Sequence, residues 1–167
     1  MVDKSYFSSD TAELLSLLSK HKTRYLIVGG EAVIYYGHAR LTGDIDLLYE
    51  VTPTNAGKLF GALMEFWKGN VPGIDLEEEL LKKGMIFQFG VPPNRIDLIS
   101  EIEGVVFSRA WNRRRIQKIS LHRRKFTIFY IGLKDLIRNK QLAGRPQDLE
   151  DMKFLQRISR SRSRARR

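Results

Sequence analysis

Hydrophobic residues along the chain switch between helical and alternating spacing, and the switches predict the elements. Asp10-Thr11-Ala12-Glu13 has the form of a capping box, and Leu14, Leu15, Leu17 and Leu18 follow at helical spacing, so a first helix is expected to about Lys20. Residues 24–28 form a short apolar run that ends at Gly29-Gly30. Residues 31–37 then suit a helix with Ala32, Val33 and Tyr36 inward. Residues 44–51 read as a second strand, and Thr52-Pro53 supplies a cap and a proline at the first helical position for a helix through Trp67. Residues 76–83 predict a short helix. Residues 85–100 divide into two strands around Val91-Pro92-Pro93-Asn94, with Asp97 in the second. A helix over 105–115, a strand over 124–131 and helices over 133–143 and 146–158, parted by Gly144, complete the order. This alternation predicts an α/β (α+β) fold, a mixed central sheet of about four to five strands flanked by helices.

A chain of 167 residues with 43% hydrophobic content suits one domain, expected over residues 1–156. No run of about 18 apolar residues is present and the N-terminus lacks an apolar leader, so a cytoplasmic protein without a membrane partner is expected. Phe60, Phe66 and Trp67 read as core, and so do Tyr35 and Tyr36. With no cysteine and only His21, His38 and His122 as histidines, any metal must be held by oxygen, which favours magnesium or manganese.

The net charge of +10 is uneven. Residues 157–167 hold six arginines and no acid, a basic tail expected to be disordered. Residues 104–134 hold nine lysines and arginines and no acid. Within that block Arg109, Arg113, Arg114, Arg115, Arg123, Arg124 and Lys125 are candidate contacts for RNA, and Trp111 among them could stack on a base.

Against this basic background, Asp44 and Asp46 stand two apart on a strand and so share one face, with Ile45 and Leu47 on the other. Asp97 can join them if its strand pairs alongside. At 4 Å and an effective dielectric near 20, each carboxylate pair costs roughly 4 kcal/mol, so the cluster calls for cations. Two divalent ions would relieve the repulsion, activate an attacking hydroxyl and neutralise a leaving pyrophosphate. Gly29-Gly30, between strand and helix, leaves backbone N–H groups open to a phosphate. No Rossmann or Walker pattern accompanies the pair.

Gly29-Gly30, thirteen intervening residues, Asp44-Ile45-Asp46 and a later Asp97 together resemble the nucleotidyltransferases of the DNA polymerase beta superfamily. Arg40-Leu41-Thr42-Gly43-Asp44-Ile45-Asp46 resembles the first motif of the minimal and abortive-infection toxin-type members. Lys140, Arg145, Asp148 and Asp151 resemble their later helical motif. The resemblance spans about residues 24–156 and implies the nucleotidyltransferase fold. It implies a two-metal transfer of a nucleotide from an NTP to an acceptor hydroxyl. Asp44, Asp46 and Asp97 would be the catalytic metal ligands, and Gly29, Gly30, Arg40, Thr42 and Lys140 would bind the nucleotide. The group also implies a toxin with a cognate antitoxin, while the basic block favours an RNA end, such as that of a tRNA, as the acceptor. Structural support is the expected task of Asp148 and Asp151, through pairing with Arg145 or helix-surface contacts. The chain ends soon after the last motif, where larger toxins continue, so acceptor preference does not carry over. A small-molecule or protein hydroxyl is the competing acceptor. A nucleic-acid-binding or regulatory module that keeps the fold without turnover is the alternative reading.

Overall fold

The computed structural model describes residues 7–165. In chain order these form α1 (Ser9–Lys20), β1 (Tyr25–Val28), α2 (Gly29–Tyr35), β2 (Asp44–Tyr49), α3 (Pro53–Phe66) and a short 3-10 helix (Glu77–Leu81). Then come β3 (Ile86–Phe89), β4 (Arg95–Ile99), α4 (Phe107–Asn112), β5 (Arg115–Leu121), β6 (Arg124–Tyr130), α5 (Leu133–Ala143) and α6 (Pro146–Arg164). The strands make one mixed six-stranded sheet in the order β3-β4-β2-β1-β6-β5. It is flanked by helices, as the alternating pattern predicts. Among the described residues no helix is long and apolar enough to cross a membrane.

Local chemistry explains most boundaries. The first helix is capped by Ser8, whose side chain accepts from Thr11 N, in place of the expected Asp10. Thr52 caps α3 as expected, with Pro53 in its first turn, and Gly144 closes α5 at φ +65. Strand β1 is buried along its whole length, which fits its central place. Leu14, Leu15, Leu18, Leu26, Ile27, Leu47, Leu59 and Leu63 fill the core, each under 2% exposed.

Three departures from the periodic pattern are physical. Strand β5 exceeds the four to five strands expected. It is an edge strand on which Ile119 is the one buried residue, so no apolar alternation marks it. The His122-Arg123 turn joining it to β6 holds both residues at positive φ without the usual glycine or asparagine. Helix α6 runs to Arg164, where the pattern ended it near residue 158 and a disordered tail was expected from residue 157. Its last turns contain no glycine or proline, and Ser161 and Ser163 bond back to carbonyls four residues earlier.

Sheet register decides which ends meet. Val28 of β1 faces Asp46 of β2 in antiparallel pairing, and Ile27 lies beside Tyr130 of the parallel β6. Asp46 lies beside Asp97 in the parallel β2–β4 pair. Tyr130 in turn pairs with Arg115. The C-terminal ends of β1 and β6 and the N-terminal ends of β2, β4 and β5 therefore form one rim of the sheet.

Candidate active site

On that rim the β2 side chains alternate, with Ile45 and Leu47 buried and Asp44 and Asp46 half-buried on the opposite face. Register brings Asp97, 5% exposed, beside Asp46. Asp44, Asp46 and Asp97 each offer a carboxylate oxygen, and these oxygens lie within 4.8 Å of one another. The separated acids of the sequence thus form one cluster.

Burial, with Asp44 and Asp97 adding repulsion, pushes the Asp46 carboxyl up to about 7, and Lys140 and Arg95 counter part of this. Arg95, two residues before Asp97 on the same face of β4, reaches Asp44 at 2.6 Å and places Nε 3.0 Å from Asp97 Oδ1. The latter approach is too bent for a hydrogen bond, so Asp97 Oδ1 is buried without a donor. Asp97 Oδ2 accepts from Gln88 and Arg95, each at 3.2 Å. A donor-poor buried oxygen beside two further carboxylates is an all-oxygen set that fits a hard divalent cation. Asp44, Asp46 and Asp97 are the residues that could hold it.

The glycine pair has a steric task in this cluster. Gly29 adopts φ +63, and a Cβ there would lie 2.0 Å from Asp46 Oδ2, so only glycine leaves that carboxylate its place. A Cβ on Gly30 would come within 3.0 Å of Thr42 Oγ1 and 3.1 Å of an Arg40 guanidinium nitrogen. Both glycines belong to the first turn of α2, two residues earlier than the sequence pattern starts that helix. Thr42 Oγ1 lies 3.1 Å from Asp44 O and 3.3 Å from its Oδ1, within donating distance of either.

Behind the cluster runs a buried ion network. Lys140, expected at the nucleotide, is only 3% exposed and reaches Asp148 at 2.7 Å and Asp151 at 3.1 Å. Asp151, fully buried, also accepts from Arg40. Arg145, itself largely exposed, pairs with Asp148 three residues on, as expected, while both aspartates are buried. Burial raises the Asp148 pKa, but hydrogen bonds from Arg145 and Lys140 outweigh it and hold the carboxyl below its ordinary range.

Other candidates are occupied. Trp111 packs against Phe107 and Phe129 and carries Arg114 over its ring at 4.0 Å, which leaves little face for a base. Tyr36 is buried and donates to Ile131 O, while Tyr35 stacks on Tyr130.

Arg95 and Gln88 went unassigned on sequence. Arg95 carried a signal, because a period of two puts it on the face of Asp97. Gln88 carried none, since only the β3–β4 register sets it opposite Asp97.

A family model described as "Nucleotidyltransferase of unknown function (DUF6036)" matches residues 9–160. No curated protein matches the chain.

Proposed function

The chain belongs to this family of nucleotidyltransferases, and on that premise we propose that it is a magnesium-dependent enzyme of the polymerase beta type. It moves a nucleoside monophosphate from an NTP to an acceptor hydroxyl. The observation that carries the reading is the convergence of Asp44, Asp46 and Asp97 within 4.8 Å beside the Gly29 bend.

Asp44, Asp46 and Asp97 would hold the metal, magnesium or manganese, as a pair of ions. When bound, the ions supply charge neutralisation of the triphosphate and a lowered pKa for the attacking hydroxyl. Asp97, buried beside Asp46, is placed to orient the acceptor hydroxyl. The acceptor oxygen forms a new bond to the α-phosphorus as the bond to pyrophosphate breaks, and the hydroxyl proton leaves to a neighbouring base or water. The α2 N-terminus at Gly29-Gly30 faces the phosphates, Thr42 steadies Asp44, and Arg40 contributes positive charge. Lys140 acts through its field on Asp46 and by fixing Arg40 through Asp151.

The basic residues on the rim favour an RNA end as acceptor. Incubation with labelled NTPs, magnesium and total RNA should label RNA, and Asp46→Asn should abolish it. Equal labelling by both proteins removes the assigned site. By its likeness to the abortive-infection group the activity would serve as a toxin restrained by a cognate protein. Growth arrest on induction that Asp46→Asn relieves is the expected outcome.

One observation favours a second reading, a nucleic-acid-binding module without turnover: Arg95 already bridges Asp44 and Asp97. RNA binding that is the same in EDTA and in magnesium, with no NTP bound, would select it.

A further inference from the structure

The basic block at 104–134 is one run in sequence but two sites in space. Strands β5 and β6 pair Arg115 with Tyr130 at one end and Leu121 with Arg124 at the other. Six residues of strand separate these ends, about 20 Å at roughly 3.4 Å per residue. Arg113, Arg114 and Arg115 therefore lie on the rim that carries Asp44, Asp46 and Asp97, while Arg123, Arg124 and Lys125 lie at the far end of the hairpin.

A third segment joins the near group. Because α6 continues to Arg164, it carries Arg162 to the same place, 5.4 Å over the Tyr36 ring. The result is a cavity of about 470 Å³ lined by Arg113, Arg114, Arg115, Lys134, Asp135 and Arg162, among others. Its carboxylate, Asp135, is already neutralised by Arg113, which donates through Nε at 2.9 Å and through a second nitrogen. Arg114 lies over Trp111 and donates to its carbonyl. Arg115, Lys134 and Arg162 form no salt bridge among the described residues. Cations gathered from three segments around one cavity repel one another unless an anion enters.

Position narrows the anion. Strand β5 stands three places from β2 in the sheet, about 14 Å at roughly 4.8 Å per step. At about 3.4 Å of axis per nucleotide in a stacked strand, that is roughly four nucleotides. Resting on the nucleotidyl-transfer reading, we propose that the cavity holds the phosphodiester backbone of the acceptor strand, about four nucleotides back from its reactive end. The arginine-rich C-terminal segment is thus part of the acceptor site.

The test compares two double variants that each remove two charges, Arg115→Gln with Arg162→Gln at the cavity and Arg123→Gln with Lys125→Gln at the far hairpin end. Binding of a 12-nucleotide RNA, and of the DNA of the same sequence, is measured by fluorescence anisotropy in EDTA over a range of salt. Circular dichroism and thermal melting check that both variants fold. The cavity variant should weaken binding about tenfold and lower the salt slope by about 1.4, while the hairpin variant stays within about twofold. RNA binding well above DNA binding assigns the strand as RNA, and equal binding assigns any single strand. Equal losses in the two variants, no loss in the cavity variant, or preferential binding to phosphatidylserine vesicles overturns the proposal. In transfer assays the cavity variant should raise the KM for an oligonucleotide about tenfold and leave the KM for NTP unchanged. If no transfer occurs with any NTP while the binding difference persists, the transfer reading falls and the cavity stands as a nucleic-acid site.

Discussion

Gly29 and Arg95 show how single residues set the acidic cluster. At Gly29 a left-handed backbone and a carboxylate 2.0 Å from any Cβ act together. Gly29→Ala should cost at least about 1–2 kcal/mol from the backbone alone, a fall in Tm of several degrees, and should weaken metal binding as Asp46 is displaced. Thermal melts with and without magnesium would show both effects, and an unchanged magnesium response would separate the glycine from the cluster. Arg95 is the internal counter-ion. Arg95→Met leaves three carboxylates facing one another, so the metal-free protein should melt lower and the rise in Tm on adding magnesium should be larger than in wild type. A smaller rise would mean that Arg95 assists the metal and does not substitute for it.

Elements communicate through the ions behind that cluster. Asp151 of α6 ties Lys140 of α5 to Arg40 of the segment between α2 and β2, all with little solvent exposure. Asp151→Asn leaves buried cations underpaired and should lower unfolding free energy in urea by about 3 kcal/mol, far more than loss of an exposed pair such as Lys20–Glu65. Asp148 makes the same network acid-sensitive. Its folded pKa lies below the unfolded value of 3.8, so its stabilisation is complete above that pH and disappears as pH falls through the folded value. Denaturation followed from pH 5 downward should therefore show a steeper loss for wild type than for Asp148→Asn, which starts less stable. Parallel slopes would remove Asp148 from the acid response. Register matters at this scale as well: a one-residue slip of β4 against β2 would turn Asp97 to the opposite face and dissolve the cluster.

For the whole molecule, acids and cations share one rim, and ligands there should stabilise the fold by mass action. Magnesium at about 100 times its Kd should add about 2.7 kcal/mol, an increment that Asp46→Asn abolishes and calorimetry can read. Much of this rim was legible beforehand. The period of two on β2 put Asp44 and Asp46 on one face, helical spacing marked α1 and α3, and Gly144 marked the end of α5, because each signal is local and repeats within a few residues. Edge strand β5 was not legible, since a strand paired on one side and mostly exposed needs no apolar pattern. The sequence by itself determined the fold class, the shared face of Asp44 and Asp46 and the glycine pair between strand and helix, since spacing and residue type suffice for those. Only the tertiary structure decided that Arg95 enters the cluster, that Lys140 is buried, and that one basic run becomes two ends of a hairpin. Those outcomes depend on strand register and helix docking, which join residues far apart in the chain and leave no local periodicity behind.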